Sequence, residues 1–426
     1  MVEKNDPPEN DYRISPYDIS MIADDLAGAC DTGFEFLDLV DQVTVVVDVD
    51  SFDADTDPVE GLTVYNTESR AIPIEAAYQK TRRASGFAGK DGRRILMKKT
   101  DSAFRGHFGR EIAAVMDELD IGLCCLAPAI PDFGRITRDG IQYLDGLPIA
   151  ESFYSQDPKN PVTESRVAAH AAAGNNRPVG LLDLKALRGE QSEHKIETLI
   201  AAGMQILVTD SENRHDLENA ARLFAKRSER ILFVGGQGLG NALATCCIPS
   251  VKQDGWAKIP DGPTLIVCGT LHPKSREQTA RLSRRHRLEP ILVRMEDSLP
   301  AESAAEDAAL RLTAQMKGSG LGLLATPETT VYDPGRVEHV LATTVQAVCD
   351  RIRLGGLLLT GGTTGYEACR RIGIRRLRLR EKITWGAVMA QAPDLDDMAV
   401  LVKGGSLGDP EVMNHFAEIV KSLESH

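Results

Sequence analysis

Short apolar runs, rich in β-branched residues and bounded by Gly, Pro, Asp and Thr, recur along the chain and alternate with stretches whose apolar positions fall at helical spacing. This alternation predicts an α/β fold. Strands are expected at Ile19–Ala23, Val43–Val49, Ile95–Lys98, Leu123–Ala127, Val179–Leu182, Ile206–Thr209 and Ile231–Val234, and then at Leu265–Cys268, Ile291–Val293, Gly322–Ala325, Leu357–Thr360 and Ala399–Lys403. Most are continuous hydrophobic runs without polar alternation, as parallel strands covered by helices should be. Ile248–Pro263 has several Pro and Gly and little periodicity, so residues 251–263 read as a linker between a domain of residues 1–250 and one of 264–426. Each is expected to hold a mainly parallel sheet flanked by helices.

Length agrees with two domains, since 426 residues exceed what one hydrophobic core usually serves. The net charge of −13 gives a surface that repels phosphodiester backbones and anionic lipid, so nucleic acid and membranes are unexpected partners; a homo-oligomer is compatible with it. Eight cysteines stand at 30, 124, 125, 246, 247, 268, 349 and 369 with no C-x-x-C spacing. They read as small buried hydrophobes in a reducing compartment. The first twenty residues are polar, contain three prolines and lack a secretory apolar core, and no apolar run is long enough to span a bilayer. A cytoplasmic enzyme or binding protein is the expectation.

In open α/β sheets ligands gather at the loops beyond the strand carboxyl ends. Asp24 and Asp25 follow the first strand and precede a helical spacing of apolar residues. An N-cap explains one carboxylate but not two adjacent ones, which favours a substrate role for the pair. Asp101 and Arg105 flank a turn before a helix with core positions Ile112, Val115, Met116 and Leu119. Arg105 can take a carboxylate bidentately or pair internally with Asp101, and spacing alone leaves both open. Arg135, which ends the loop after Ala127, is a further candidate on the acid side, whereas His107 reads as a polar residue of the first helical turn.

Bare glycines and hydroxyls collect in the second half, at Gly269-Thr270, Gly361-Gly362-Thr363-Thr364 and Lys403-Gly404-Gly405 through Gly408, where backbone amides can wrap phosphates. Gly235–Gly240 imitates a dinucleotide fingerprint but fails it, because Asn241 stands where the third glycine belongs. A P-loop is absent too: Gly89-Lys90 has Ala84 in place of the first glycine and Asp91 in place of Ser or Thr. The basic runs Arg284–Arg287 and Arg375–Arg380 read as solvated faces, the second with the alternation of an edge strand.

The strings IADDLAGACD, KKTDSAFRG, PAIPDFGRITRDG, DPKNPV, GGQGL, GTLHPKSREQ, GGTTGYEACRRIG and LVKGGSLGDP occur in order from about Asp18 to Pro410, and together they resemble the four-carbon acid sugar kinases. The resemblance implies an N-terminal sugar-acid-binding domain, a C-terminal nucleotide-binding domain and an active site in the cleft between them. It also implies phosphoryl transfer from ATP to a terminal hydroxyl of a threonate, erythronate or 3-oxo-tetronate, and Mg²⁺ is expected on general grounds with the ATP. Asp25, with Asp24 as the alternative, is then the proton acceptor; Asp24, Asp25, Asp101, Arg105 and Arg135 bind the acid. Gly269, Thr270, Gly361, Gly362, Thr363, Thr364, Lys403, Gly404, Gly405 and Gly408 bind the nucleotide. Three positions depart from the family pattern: Ala27 replaces Thr, His107 replaces Asn, and Thr363 stands where an acid often follows the two glycines. A nicotinamide-dependent sugar-acid oxidoreductase would share the α/β loops, and a non-catalytic sugar-acid sensor would keep Arg105 while losing the glycine loops.

Overall fold

The computed structural model of the chain describes residues 13–54, 60–90, 92–157, 160–249, 255–294, 300–327 and 333–424. All the expected strands form; the largest change at an end is the shortening of Val43–Val49 to Val43–Val46. The first residues of the expected linker, 251–254, and Pro158-Lys159 of the DPKNPV string lie outside the described residues.

The chain forms two compact units. The first consists of the described residues of Met1–Ile22, Asp38–Asp41 and Arg70–Lys252. Its sheet runs in the order Ile19–Ala23, Ile95–Lys99, Ile231–Gly235, Leu123–Ala127, Ile206–Thr209, Val179–Leu182. From Ile95–Lys99 onward each pair is parallel. The four strands from Ile95–Lys99 to Ile206–Thr209 are wholly buried, which is why they carry no polar alternation. A separate antiparallel sheet joins Arg135–Arg138, Ile141–Leu144 and Leu147–Pro148. The two-residue turns Asp139-Gly140 and Asp145-Gly146 link these strands, all four turn residues having positive φ.

The second unit takes the described residues of Gln253–His426, Ala23–Leu37 and Gln42–Ser69. Five of its strands are parallel in the order Ile291–Leu292, Leu321–Ala325, Thr264–Cys268, Gly356–Thr360, Met398–Lys403. Ala387–Ala392 and Arg376–Thr384 continue the sheet antiparallel, followed by Val43–Val46 and its parallel neighbour Leu62–Asn66. Sequence spacing suggests a single crossing at the linker. Packing adds two segments of the first quarter to this unit because Val43–Val46 pairs with Arg376–Thr384.

That pairing also corrects the reading of Arg375–Arg380. The strand has neighbours on both sides and is not an edge, and Arg380 is buried with its Nε donating to Gln391 Oε1 at 2.8 Å. Arg284–Arg287 is an exposed helix end as expected. Residues 255–263 contain no helix or strand, yet they are pinned: Gln391 accepts from Ala257 N–H and donates to Ala257 C=O, and Ile259 is buried in the core. Seven of the eight cysteines are buried, and no described helix is long and apolar enough to cross a membrane.

Candidate active site

Three loops converge in the second unit. Gly269 N–H donates to Thr360 C=O at 2.9 Å and Gly361 N–H to Lys403 C=O at 3.0 Å, which ties the ends of three parallel strands together. Glycine is required where the loops touch. A Cβ on Gly269 would lie 2.5 Å from Thr364 Oγ1, and one on Gly405 would lie 2.7 Å from Thr270 Oγ1. Gly361 has φ +109° and opens the helix Gly362–Arg371 without a capping side chain. The first turn of that helix therefore offers the amides of Gly362, Thr363 and Thr364, which have no partner within the helix, to an anion.

The Gly404–Gly408 loop is held from beneath. Lys403 is fully buried, and its Nζ donates to Ser275 Oγ, Gly404 C=O and Leu407 C=O at 3.1–3.2 Å. Ser275 Oγ donates to Gly405 C=O, and Gln278 Nε2 donates to the carbonyls of Leu407, Gly408 and Asp409. With its carbonyls engaged on this side, the loop is oriented by buried donors. Burial lowers the Lys403 pKa to about 8; Lys274 adds to the push and Cys268 opposes it.

Asp24 is buried and Asp25 half-buried, at the junction of Ile19–Ala23 and the helix Leu26–Phe34. Asp25 is the N-cap residue of that helix, with extended φ −149° and ψ 151°, but its side chain makes no capping hydrogen bond. The first helical amide, Leu26 N–H, donates to Glu68 Oε2 at 3.1 Å. Asp25 and Asp24 therefore both belong to the unit that carries the glycine loops. A Cβ built on Gly362 would lie 3.8 Å from Asp25 Oδ2, which places this carboxylate at the start of the glycine-opened helix.

The remaining acid-side candidates lie in the first unit. The loop between Lys99 and the helix Phe108–Leu119 holds Phe104 at φ +63° and Gly106 at φ +99°. Phe104 is kept in that uncommon conformation by stacking on His170 and by an edge contact with Phe108. The turn allows Arg105 to fork onto Asp101: Nε donates to Oδ2 at 2.7 Å, Nη2 to Oδ1 at 3.1 Å, and Nη1 reaches Asp157 Oδ2 at 3.2 Å. Burial pushes the Asp101 pKa up, but Arg105, then Arg70 and Arg135, outweigh it and hold the carboxyl far below its ordinary value. Arg135 donates to Ser102 Oγ and to Tyr154 OH, its Nε is buried without a hydrogen-bond partner, and both guanidiniums lie over the Tyr154 ring. Beneath the loop, Lys98 and Glu111 form a buried ion pair at 2.6 Å. His107 is the N-cap of Phe108–Leu119 and bonds through Nε2 to Ile72 C=O.

Sequence reasoning missed Arg70, Tyr154 and Glu68 and gave no role to Asp157, which opens the DPKNPV string. Only the fold brings Asp157 to Arg105 across 52 positions and Glu68 to Leu26 across 42. The Gly235–Gly240 loop is explained by packing. Cβ atoms on Gly235 and Gly238 would lie 2.3 Å from Ala127 C=O oxygen and 2.6 Å from that of Ala129, so these glycines admit the neighbouring strand end.

Both halves of this arrangement match known protein families. Residues 19–243 match the sugar-binding N-terminal domain and residues 265–413 the nucleotide-binding C-terminal domain. The chain belongs to the four-carbon acid sugar kinase family. A D-threonate kinase of Salmonella typhimurium is 26% identical over 92% of this chain and 96% of its own length. A D-erythronate kinase of Heliobacterium modesticaldum is 23% identical over 92% and 94%. Among solved structures, a Salmonella typhimurium LT2 protein shares the fold with a TM-score of 0.78 at 21% identity, covering 93% of this chain and 98% of that one.

Proposed function

We propose that the protein transfers the γ-phosphoryl group of ATP to a terminal hydroxyl of a sugar acid of about four carbons, of the threonate, erythronate or 3-oxo-tetronate kind. The observation that supports this reading is the carboxylate of Asp25 at the glycine-opened start of Gly362–Arg371, a helix end suited to an anion. Phosphoryl transfer asks chiefly for positioning and charge stabilisation. The amides of Gly362, Thr363 and Thr364, with the Gly269-Thr270 and Gly404–Gly408 loops, would hold the nucleotide phosphates. Asp25 would orient the acceptor hydroxyl and take its proton as the phosphoryl group moves, and Asp24 would align it.

The sugar-acid carboxylate is assigned to the Arg105 and Arg135 pair. A guanidinium has five N–H donors, and the bonds described use three on Arg105 and two on Arg135, so both retain donors for an anion. Asp101 fixes the Arg105 plane and would act through it. Mg²⁺ accompanies ATP in this reading. Among the described residues no group of three or more His, Cys, Asp or Glu could hold a metal by itself, so phosphate oxygens and water would supply most of its ligands.

The test is a screen of three- to five-carbon sugar acids with ATP and Mg²⁺, following ADP release. Turnover with a four-carbon acid is expected. Turnover with NAD in place of ATP, or tight binding of the acid with no ADP release, would replace the reading by the oxidoreductase or the sensor.

A further inference from the structure

We infer that Gln142 is a positioning residue that, through Ser102, sets the Arg135 guanidinium for the substrate carboxylate. The inference rests on the reading of Arg135 as a ligand of that carboxylate. Arg135 and Thr137 lie two apart on the strand Arg135–Arg138, so they share a face of the small antiparallel sheet, and Gln142 is the residue paired with Thr137 on Ile141–Leu144. Ser102, Thr137 and Gln142 are all buried, the last two completely. An apolar side chain would fill position 142 at a lower desolvation cost, so the place of the amide is explained by the bonds it makes.

Those bonds run in one direction. Gln142 Nε2 donates to Ser102 C=O at 3.2 Å, and Thr137 Oγ1 donates to Gln142 Oε1 at 2.7 Å. A carbonyl only accepts, so the amide has to face Ser102 with its nitrogen and Thr137 with its oxygen, and the threonine hydroxyl has to supply the proton. Ser102 makes two hydrogen bonds among the described residues, and both go to this hairpin: its carbonyl accepts from Gln142, and its hydroxyl accepts from Arg135 Nη1 at 2.7 Å. The hairpin is itself fixed from the other side. Thr137 and Ser211 exchange backbone hydrogen bonds at 2.9 Å, and the turn amides of Asp139 and Gly140 donate to the Asp210 carboxylate at 2.8 and 2.9 Å. Gln142 thus ties Ser102 to a fixed frame, and Ser102 in turn holds one amine of Arg135 while Tyr154 OH holds the other. Two held points define the plane of the guanidinium, and the plane is what a carboxylate reads.

The test removes these bonds without touching a group assigned to substrate. Gln142→Met keeps the length and removes the amide; Thr137→Val leaves Gln142 Oε1 without its donor, whereas Thr137→Ser keeps the hydroxyl. We expect Gln142→Met and Thr137→Val to raise KM for the sugar acid by about 3- to 10-fold, the scale of one neutral hydrogen bond, with KM for ATP within about 2-fold of wild type. Thr137→Ser should stay within about 2-fold for both substrates. In a Ser102→Ala background neither Gln142→Met nor Thr137→Val should raise KM for the acid further, because the link is already cut. A lowered Tm with both KM values unchanged would overturn the inference, as would equal rises in both, an additive rise in the Ser102→Ala background, or a Thr137→Ser enzyme as impaired as Thr137→Val. Should Gln142→Met fail to fold, Thr137→Val carries the test by itself. Arg135→Met separates the inference from the reading beneath it. If that variant keeps wild-type KM for the acid, the assignment of the carboxylate to Arg135 falls first; if it raises that KM while Gln142→Met and Thr137→Val do not, only the inference falls.

Discussion

In the first unit the polar site is made of side chains; in the second it is made of backbone. Around Asp101, guanidinium forks, a tyrosine face and two carboxylates fix one another by direct ion pairs and hydrogen bonds. Around Gly361 the loops are mostly backbone, and Lys403 lies underneath, bonded to carbonyls. The difference fits the ligands proposed for each. A small acid has a planar carboxylate whose direction a fork can read, whereas phosphates are tetrahedral and are satisfied by several amides converging on them. Side-chain sites fail when a side chain is changed. Backbone sites fail when one is added.

The largest expected effect bears on the residue that stands between these two styles. Asp25→Asn preserves shape and most hydrogen bonding but removes the proton acceptor, so kcat should fall by ~10²–10⁴ while the circular dichroism spectrum stays native. A variant with near-normal kcat would transfer the role to Asp24. Next come the glycines, which separate binding from folding. A Cβ on Gly362 meets nothing closer than Asp25 Oδ2 at 3.8 Å, so Gly362→Ala should fold like wild type yet raise KM for ATP by about 10-fold, the scale of a lost charge-assisted hydrogen bond. Gly362→Val should do more. Gly269→Ala, which collides with Thr364, should lower Tm as well. An unchanged KM for ATP in Gly362→Val would show that the helix start does not hold phosphate.

Arg105→Lys probes the side-chain site. It keeps the charge and loses the fork, so KM for the sugar acid should rise several-fold more than KM for ATP, with Tm also lowered by the lost pairing to Asp101. If only Tm moved, the Asp101–Arg105 pair would be structural. The smallest effect concerns Lys403. Its pKa is lowered to about 8 in the folded chain from an ordinary 10.5, so the folded state gives up the proton first. This group's contribution to stability is therefore gained between pH 8 and 10.5 and lost as pH falls through about 8. Above pH 8 the amine has two donors for three acceptors, so KM for ATP should rise by about 2- to 3-fold from pH 7 to 9, on the scale of one modest hydrogen bond. Lys403→Met should show a higher KM that is flat over the same range.

What the sequence made legible divides along the same line. Continuous apolar runs revealed the parallel strands because burial on both sides leaves no polar alternation to confuse them. Leu62–Asn66 was hidden because Thr63 and Asn66 are polar yet buried, and Arg376–Thr384 because its arginines imitate a solvent edge. The hairpins at Arg135–Leu147 had a signal that went unused, the repeated Asp-Gly of two-residue turns. The converging glycine loops could be read from the sequence, since glycine after a strand is a local pattern. The cluster around Asp101 could be read only in part: Asp101 and Arg105 are four apart, but Asp157, Arg70 and Tyr154 reach them through folding alone. The bond from Leu26 N–H to Glu68 is invisible for the same reason.

The interleaving of the two units along the chain has a consequence for how such a protein can be divided or assembled. Residues 23–37 and 42–69 are encoded within the first half of the gene yet fold with the second. A gene cut at residue 250 would thus yield a fragment with Val43–Val46 stripped of its partner Arg376–Thr384, leaving an open edge on a strand that is wholly buried in the intact chain and inviting aggregation. The complementary fragment would lack the helix that bears Asp25. Split-protein complementation and half-by-half recombination between relatives should therefore work only if those two early segments travel with the later half.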